Sequence, residues 1–243
     1  MKHFALVLIG SFSLYSCCAD DKIAVIPADQ ISQENIATLG AQEGFTQLLA
    51  GNSLEGWEVK GSAAEFSIKD GEVVGKGVKL KSNSFLCSEK RYKDFVFAFE
   101  MKFDHLEGNS GCMFRANTRE SGRVFGYQCE HDNTKRSWTA GIYDESRRGW
   151  LAPVKKDKSE EAEKKRQAFT EQGLKIFKTD DWNTIVIKCE GDRIQIWLNG
   201  EVRVDYTDTD PENKTAEGFF GLQVHSGESC DVRWRNIFVK ELK

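Results

Sequence analysis

Residues 185–206 read Ile-Val-Ile-Lys-Cys-Glu-Gly-Asp-Arg-Ile-Gln-Ile-Trp-Leu-Asn-Gly-Glu-Val-Arg-Val-Asp-Tyr, and this stretch decides the fold class. An apolar run, Ile185 to Cys189, and an alternating one, Arg193 to Leu198, flank Glu190-Gly191-Asp192, and Asn199-Gly200 leads on to Val202 to Tyr206. Turns this short join antiparallel strands, because a parallel crossover needs about a dozen residues or more. The same pattern extends outward. Phe66 to Ile68 and Glu72 to Val74 meet at Asp70-Gly71, and Phe219 to Val224 and Asp231 to Val239 close the chain. Between them, Phe95 to Phe103 alternates Phe95, Phe97, Phe99 and Met101 or Phe103 with Val96, Ala98, Glu100 and Lys102. Strands at this spacing, without strand-helix alternation, predict an all-β antiparallel sandwich built as one domain. One segment breaks the pattern. Lys155 to Gln172 is highly charged, with Asp157 and Glu160 spaced as a capping box and Glu161/Lys165 at helical spacing. It predicts a short charged helical or loop insertion, read as a solvated excursion rather than a functional lid.

Composition narrows the class. The 38 acidic residues slightly outnumber the 34 basic ones and are spread along the chain, so no basic stripe is available to neutralise phosphates, and nucleic acid is not an expected partner. Met1-Lys2-His3 followed by an apolar run from Phe4 to Tyr15 has the form of a secretory signal, too short for a helix that spans a bilayer in about 20 residues. Leu14-Tyr15-Ser16-Cys17 follows as a lipoprotein-type cleavage box, with Tyr15 replacing the usual small residue. The expected organisation is a signal over residues 1–17, lipidation at Cys17, a polar tether over 18–43 and a domain over 44–243. Such a protein is exported to the periplasm or outer-membrane surface, touching membrane only through its anchor. Cys87, Cys112, Cys129, Cys189 and Cys230 are an odd set without Cys-x-x-Cys spacing, which predicts buried thiols and at most two disulfides rather than a zinc site.

Tyr127 to Asp132, Tyr-Gln-Cys-Glu-His-Asp, holds the densest candidate chemistry. On a strand, Gln128, Glu130 and Asp132 point to one face, where two acids and an amide are costly to bury. Glu100 sits in an apolar strand, Asn109-Ser110-Gly111 precedes Met113 and Arg115, and Gln223 and His225 alternate with Leu222 and Val224. Were these strands neighbours, one face would carry titratable groups suited to general acid and base work. The candidates for proton transfer are Glu100, Glu130, Asp132 and His225. Candidate sugar contacts are Asn109, Arg115, Tyr127, Gln128, Trp138, Tyr143, Trp197 and Gln223, the aromatic rings offering stacking surfaces. Blander roles stand beside each: a Glu100–Arg115 ion pair, a surface His225, a wet sheet face carrying the stripe. No phosphate loop, serine elbow or His-Glu-x-x-His helix occurs. No cofactor is expected, and a divalent metal stays open.

A family likeness runs through the chain. Gly44-Phe45-Thr46-Gln47-Leu48-Leu49-Ala50-Gly51, Leu54-Glu55-Gly56-Trp57, Asn109-Ser110-Gly111 with Arg115, and Gly126-Tyr127-Gln128 resemble the bacterial 3-keto-disaccharide hydrolase domain. The likeness continues through Gly141-Ile142-Tyr143-Asp144, Trp182-Asn183, Leu198-Asn199-Gly200, Gly221-Leu222-Gln223-Val224-His225 and Arg235-Asn236-Ile237. It implies a concanavalin-like jelly roll with a carbohydrate site on the concave face, and a substrate whose glucose unit carries a ketone at carbon 3. That ketone acidifies the hydrogen on carbon 2, so a base removes it, the enolate expels the aglycone from carbon 1, and water adds back. Gln128 sharpens the comparison with laminarinase-like sandwich glycosidases, which carry Glu-x-Asp-x-Glu on one strand, because an amide is no carboxylate nucleophile. An inverting arrangement of Glu130 or Asp132 with Glu100 remains open. So do a non-catalytic carbohydrate-binding or laminin-G-like module and a calcium-dependent lectin. Separation of the four titratable candidates by more than about 10 Å, beyond direct reach of one sugar, would favour binding over catalysis.

Overall fold

The computed structural model describes residues 25–104 and 108–243. The export segment and Cys17 lie outside the described residues. In chain order the strands are β1 (Phe45–Gln47), β2 (Trp57–Gly61), β3 (Glu65–Lys69), β4 (Glu72–Leu80), β5 (Ser84–Ser88) and β6 (Phe95–Phe103). Then come β7 (Asn109–Thr118), β8 (Val124–Asp132), β9 (Ile142–Glu145) and β10 (Gly149–Ala152). A helix, α1 (Glu160–Ile176), interrupts before β11 (Asn183–Glu190), β12 (Arg193–Leu198), β13 (Glu201–Thr207), β14 (Phe219–Val224) and β15 (Gly227–Glu241).

These strands form two antiparallel sheets, the concanavalin-like sandwich expected. The first has the order β13-β12-β11-β6-β15-β4-β3, with β1 paired to β15; the second runs β10-β9-β8-β7-β14-β5-β2. The opening stretch makes the meander β11-β12-β13, with Ile187 opposite Ile196 and Ile196 opposite Val204. From the first sheet, β6 sends Phe95, Phe97, Phe99, Met101 and Phe103 into the core. From the second, Tyr127, Cys129, Phe220, Leu222 and Val224 meet them, and the rings of Phe97 and Phe220 stack with centroids 3.9 Å apart. With a period of two, the residues between these core positions face outward: Gln128 and Glu130 on β8, Gly111 and Met113 on β7, Gln223 on β14. All five described cysteines are free and buried, and burial pushes the Cys189 thiol up to about 12, which makes it inert at neutral pH.

Two sequence expectations need correction. The segment assigned to a polar tether is folded from Val25 onward: short 3-10 turns at Ala28–Gln30 and Ile36–Ala41 lay Ile31, Ile36 and Leu39, each 0% exposed, on the outer face of the first sheet. There they pack with Phe45, Val96, Ala98, Val186, Trp197 and Phe238. Polar neighbours hid three well-spaced apolar anchors. The helix starts later than the capping box suggested, because Ser159 is the cap, its Oγ accepting from the Ala162 N–H at 3.2 Å, while Asp157 accepts from the Ser159 N–H at 2.8 Å. The expected Glu161–Lys165 pair is present at 2.7 Å.

Because Ile36 is wholly enclosed, Ile36→Ala is expected to cost about 2–5 kcal/mol, measured by chemical denaturation. An unchanged unfolding midpoint would mean that the arm contributes nothing to the domain.

Candidate active site

Strands β14, β7, β8 and β9 lie side by side, and their outward residues line a cavity of about 450 Å³. Asn109, Gln128, Glu130, Arg136, Tyr143, Trp150, Gln223 and His225 contribute to its wall. Register places Gly111 between Glu130 on one side and Gln223 on the other. An added Cβ at Gly111 would meet Gln128 Cγ and Cδ at 2.6 Å, so glycine here is what lets the Gln128 side chain lie across β7.

Glu130 is the centre of the arrangement. Only 4% exposed, it accepts from Asn109 Nδ2 at 2.5 Å and Arg136 Nη2 at 3.1 Å through Oε1, and from Gln128 Nε2 at 2.9 Å through Oε2. Gln223 Nε2 donates in turn to Gln128 Oε1 at 2.7 Å. Burial disfavours the carboxylate, whereas the donors and the Arg136 charge favour it; burial wins, and the group is pushed up to about 7. A carboxyl tuned to neutrality exchanges protons readily with a bound molecule. His225 shares the cavity, its Nδ1 2.6 Å from the Ser226 carbonyl. A carbonyl only accepts, so Nδ1 carries hydrogen and Nε2 is the nitrogen left for chemistry.

Sequence periodicity did not single out Arg136, which lies in the loop after β8. Its position follows from Asp132, fully buried, which accepts from Arg136 Nε at 2.6 Å, Thr134 Oγ1 at 2.7 Å and the Trp138 N–H at 3.1 Å. Asp132 therefore folds the loop rather than facing the cavity. Trp138 is likewise a support: its Nε1 donates to Thr170 Oγ1 at 2.9 Å, and its ring lies 5.1 Å from the Arg136 guanidinium, which also stacks on Trp150 at 4.9 Å. Behind this loop sits α1, docked so closely that a Cβ on Gly173 would be 2.1 Å from the Ser137 carbonyl oxygen. Arg203 binds both, donating to Ser137 and Thr139 carbonyls and to Phe169 O and Gln172 Oε1. The insertion expected to be a solvated excursion is thus a buttress for the loop that carries Arg136.

Other candidates lie elsewhere. Glu100 faces outward from the opposite sheet, held by Arg235 Nε at 2.8 Å and Asn236 Nδ2 at 2.6 Å, with Arg235 stacked on Trp182 at 4.1 Å. Alternation gave its side of the strand but not its sheet. Arg115, 2% exposed, turns at a bulge with φ 45° and binds Lys93 O, Gly191 O and Asp94, so neither a sugar contact nor a Glu100 pair is formed. Tyr127 points into the core and donates to Asp208, and Trp197 packs under the N-terminal arm. Among the described residues no group of three or more His, Cys, Asp or Glu is placed to hold a metal ion.

Known proteins give the site its context. Among solved structures, a candidate glycosyl hydrolase from Parabacteroides distasonis has a TM-score of 0.56 at 18% identity, over 88% of this chain and 98% of that one. The exoplasmic/lumenal domain of VIP36, in its Ca2+/Man3GlcNAc-bound form, has a TM-score of 0.50 at 11% identity, over 83% and 89%. At such identities the likeness is one of fold. No curated protein matches the chain. The sequence profile of a family described as 3-keto-alpha-glucoside-1,2-lyase-like does match, over residues 44–240. That span takes in the sandwich and every residue lining the Glu130 cavity, and the chain belongs to this carbohydrate-related family.

Proposed function

We propose that the chain cleaves the glycosidic bond of 3-keto-glycosides by acid/base elimination, followed by hydration, in the Glu130 cavity. The observation that carries this reading is a buried carboxyl tuned to about 7 inside a sugar-sized cavity. In the proposed reaction the Glu130 carboxylate takes the proton from carbon 2, the electron pair forms the enolate of the carbon 3 ketone, and the bond from carbon 1 to the leaving oxygen breaks. His225, protonated on both ring nitrogens at this step, gives its Nε2 proton to that oxygen. Arg136 Nη1 and the Tyr143 hydroxyl, neither with a hydrogen-bond partner among the described residues, are suited to the enolate oxygen. Burial, followed by the Glu145 and Glu130 charges, raises the Tyr143 hydroxyl above its ordinary range and keeps it a donor. Asn83, Glu145 and Ser226 also border an adjoining cavity of about 720 Å³ with Lys81 and Arg123, room enough for the leaving group.

A binding module is the second reading, favoured by one observation: of the four titratable candidates only Glu130 and His225 share the cavity, with Glu100 on the other sheet. Activity separates the two. A 3-keto-glucoside should be cleaved and its unoxidised parent left intact; cleavage of the parent alone would sink the elimination route, and cleavage of neither supports binding.

Glu130→Gln should lower turnover by at least about a hundredfold with sugar affinity retained. As a base, Glu130 works ionised, so kcat/KM should rise with pH along an acid-side limb centred near about 7; a profile without that limb removes it from the mechanism. Gly111→Ala should displace Gln128, reduce turnover on the order of tenfold and cost about 1–3 kcal/mol of stability through the lost buried hydrogen bonds. Steady-state kinetics that match the parent chain would show the close approach to be dispensable.

A further inference from the structure

An ionised carboxylate accepts hydrogen bonds and donates none, which fixes the direction of everything behind Glu130. Gln128 must turn Nε2 toward Glu130, so its Oε1 faces Gln223, and Gln223 must answer with Nε2. The chain therefore runs one way and ends on Gln223 Oε1. That residue lines the cavity but is 0% exposed, so its Oε1, which has no hydrogen-bond partner among the described residues, is reached only when the wall yields to an incoming donor. A buried acceptor left unpaired is costly, and such orphans are rare in folded proteins.

We propose that Gln223 Oε1 is the recognition point for one hydroxyl of the bound sugar, and that Gln223 and Gln128 relay the arrival of that hydroxyl to Glu130. The sugar as ligand rests on the function proposed above; the relay rests on the hydrogen-bond directions alone. A donor at the far end polarises both amides in the same sense and strengthens the Gln128 bond to the carboxylate. Ionised Glu130 is thereby favoured when the correct sugar is seated. In this scheme Gln223 binds the sugar and Gln128 is a positioning residue, both distinct from the groups that move protons. The charged and titratable groups around Glu130 are Arg136 and Asp132 beside it and Tyr143, Glu145 and His225 on the cavity wall.

The test uses methyl α-D-glucopyranoside and its monodeoxy analogues, which are unoxidised and are not turned over in the proposed route. Binding is measured by NMR, and Glu130 is titrated through its labelled side-chain carbon, assigned by its loss in Glu130→Gln. In the parent chain one monodeoxy analogue should bind about five- to tenfold more weakly than the full sugar, and that difference should vanish in Gln223→Leu. The sugar should also lower the Glu130 midpoint in the parent chain relative to its effect in Gln223→Leu by about half a unit. Gln223→Met, closer in volume, should repeat both results if Gln223→Leu fails to fold. Equal discrimination among analogues in parent and variant chains overturns the proposal. A failure of the chain to cleave 3-keto-glycosides would leave the binding and titration results standing, so the two readings fail separately.

Discussion

A carboxylate that is 4% exposed must be met by hydrogen-bond donors or give up its charge, and much of the second sheet is arranged around that demand at Glu130. Asn109 comes from the start of β7, Gln128 from β8, the strand of Glu130 itself, and Arg136 from a loop with no regular structure of its own. Each donor in turn needs a reason to stay. For Gln128 the reason is Gln223 and the missing side chain of Gly111; for Arg136 it is Asp132 on one side and two indole rings on the other. The balance is close: the donors do not fully offset desolvation, which leaves the group able to carry or release a proton near neutrality.

Strand periodicity made part of this legible in the sequence. Alternation on β8 gave the shared face of Gln128 and Glu130 and the opposite, core-facing side of Cys129, and Gly-Asp and Asn-Gly turns gave the β11-β12-β13 meander. Alternation has a blind spot, however, since it assigns a side of a strand and not a sheet. Glu100 and Glu130 both point away from the core, and for that reason they lie on opposite surfaces of the molecule. Arg115 escaped for another cause: a bulge between Phe114 and Asn117 breaks the count of two, so the guanidinium turns toward Asp94 and the chain ends of the first sheet. Arg136, in a loop, had no period to be read. Asp132 followed the stripe in direction, yet its oxygens are consumed by the loop that follows, a local commitment that spacing does not reveal.

The two outer faces of the sandwich are used differently. On the first sheet the N-terminal arm covers Val96, Ala98, Val186 and Trp197, and an ion-paired patch around Glu100 sits beside it. On the second sheet a small apolar cluster of Phe85, Cys87, Met113, Ala116, Val124 and Phe219 adjoins the polar wall of the cavity. Glu130 and His225 thus stand on a surface whose floor is well packed, which restrains their side chains before any ligand arrives.

The contact between α1 and the Arg136 loop has a consequence for motion. Gly173 lets the helix backbone press directly on Ser137, and Arg203 ties both to β13 through neutral carbonyl and amide oxygens. Desolvation, with no carboxylate partner among the described residues, pulls that guanidinium down to about 9, so the tie rests on geometry more than on charge. Helix and loop are expected to fluctuate as one body. A surface helix with no residue in the cavity therefore shares in holding the loop that carries Arg136.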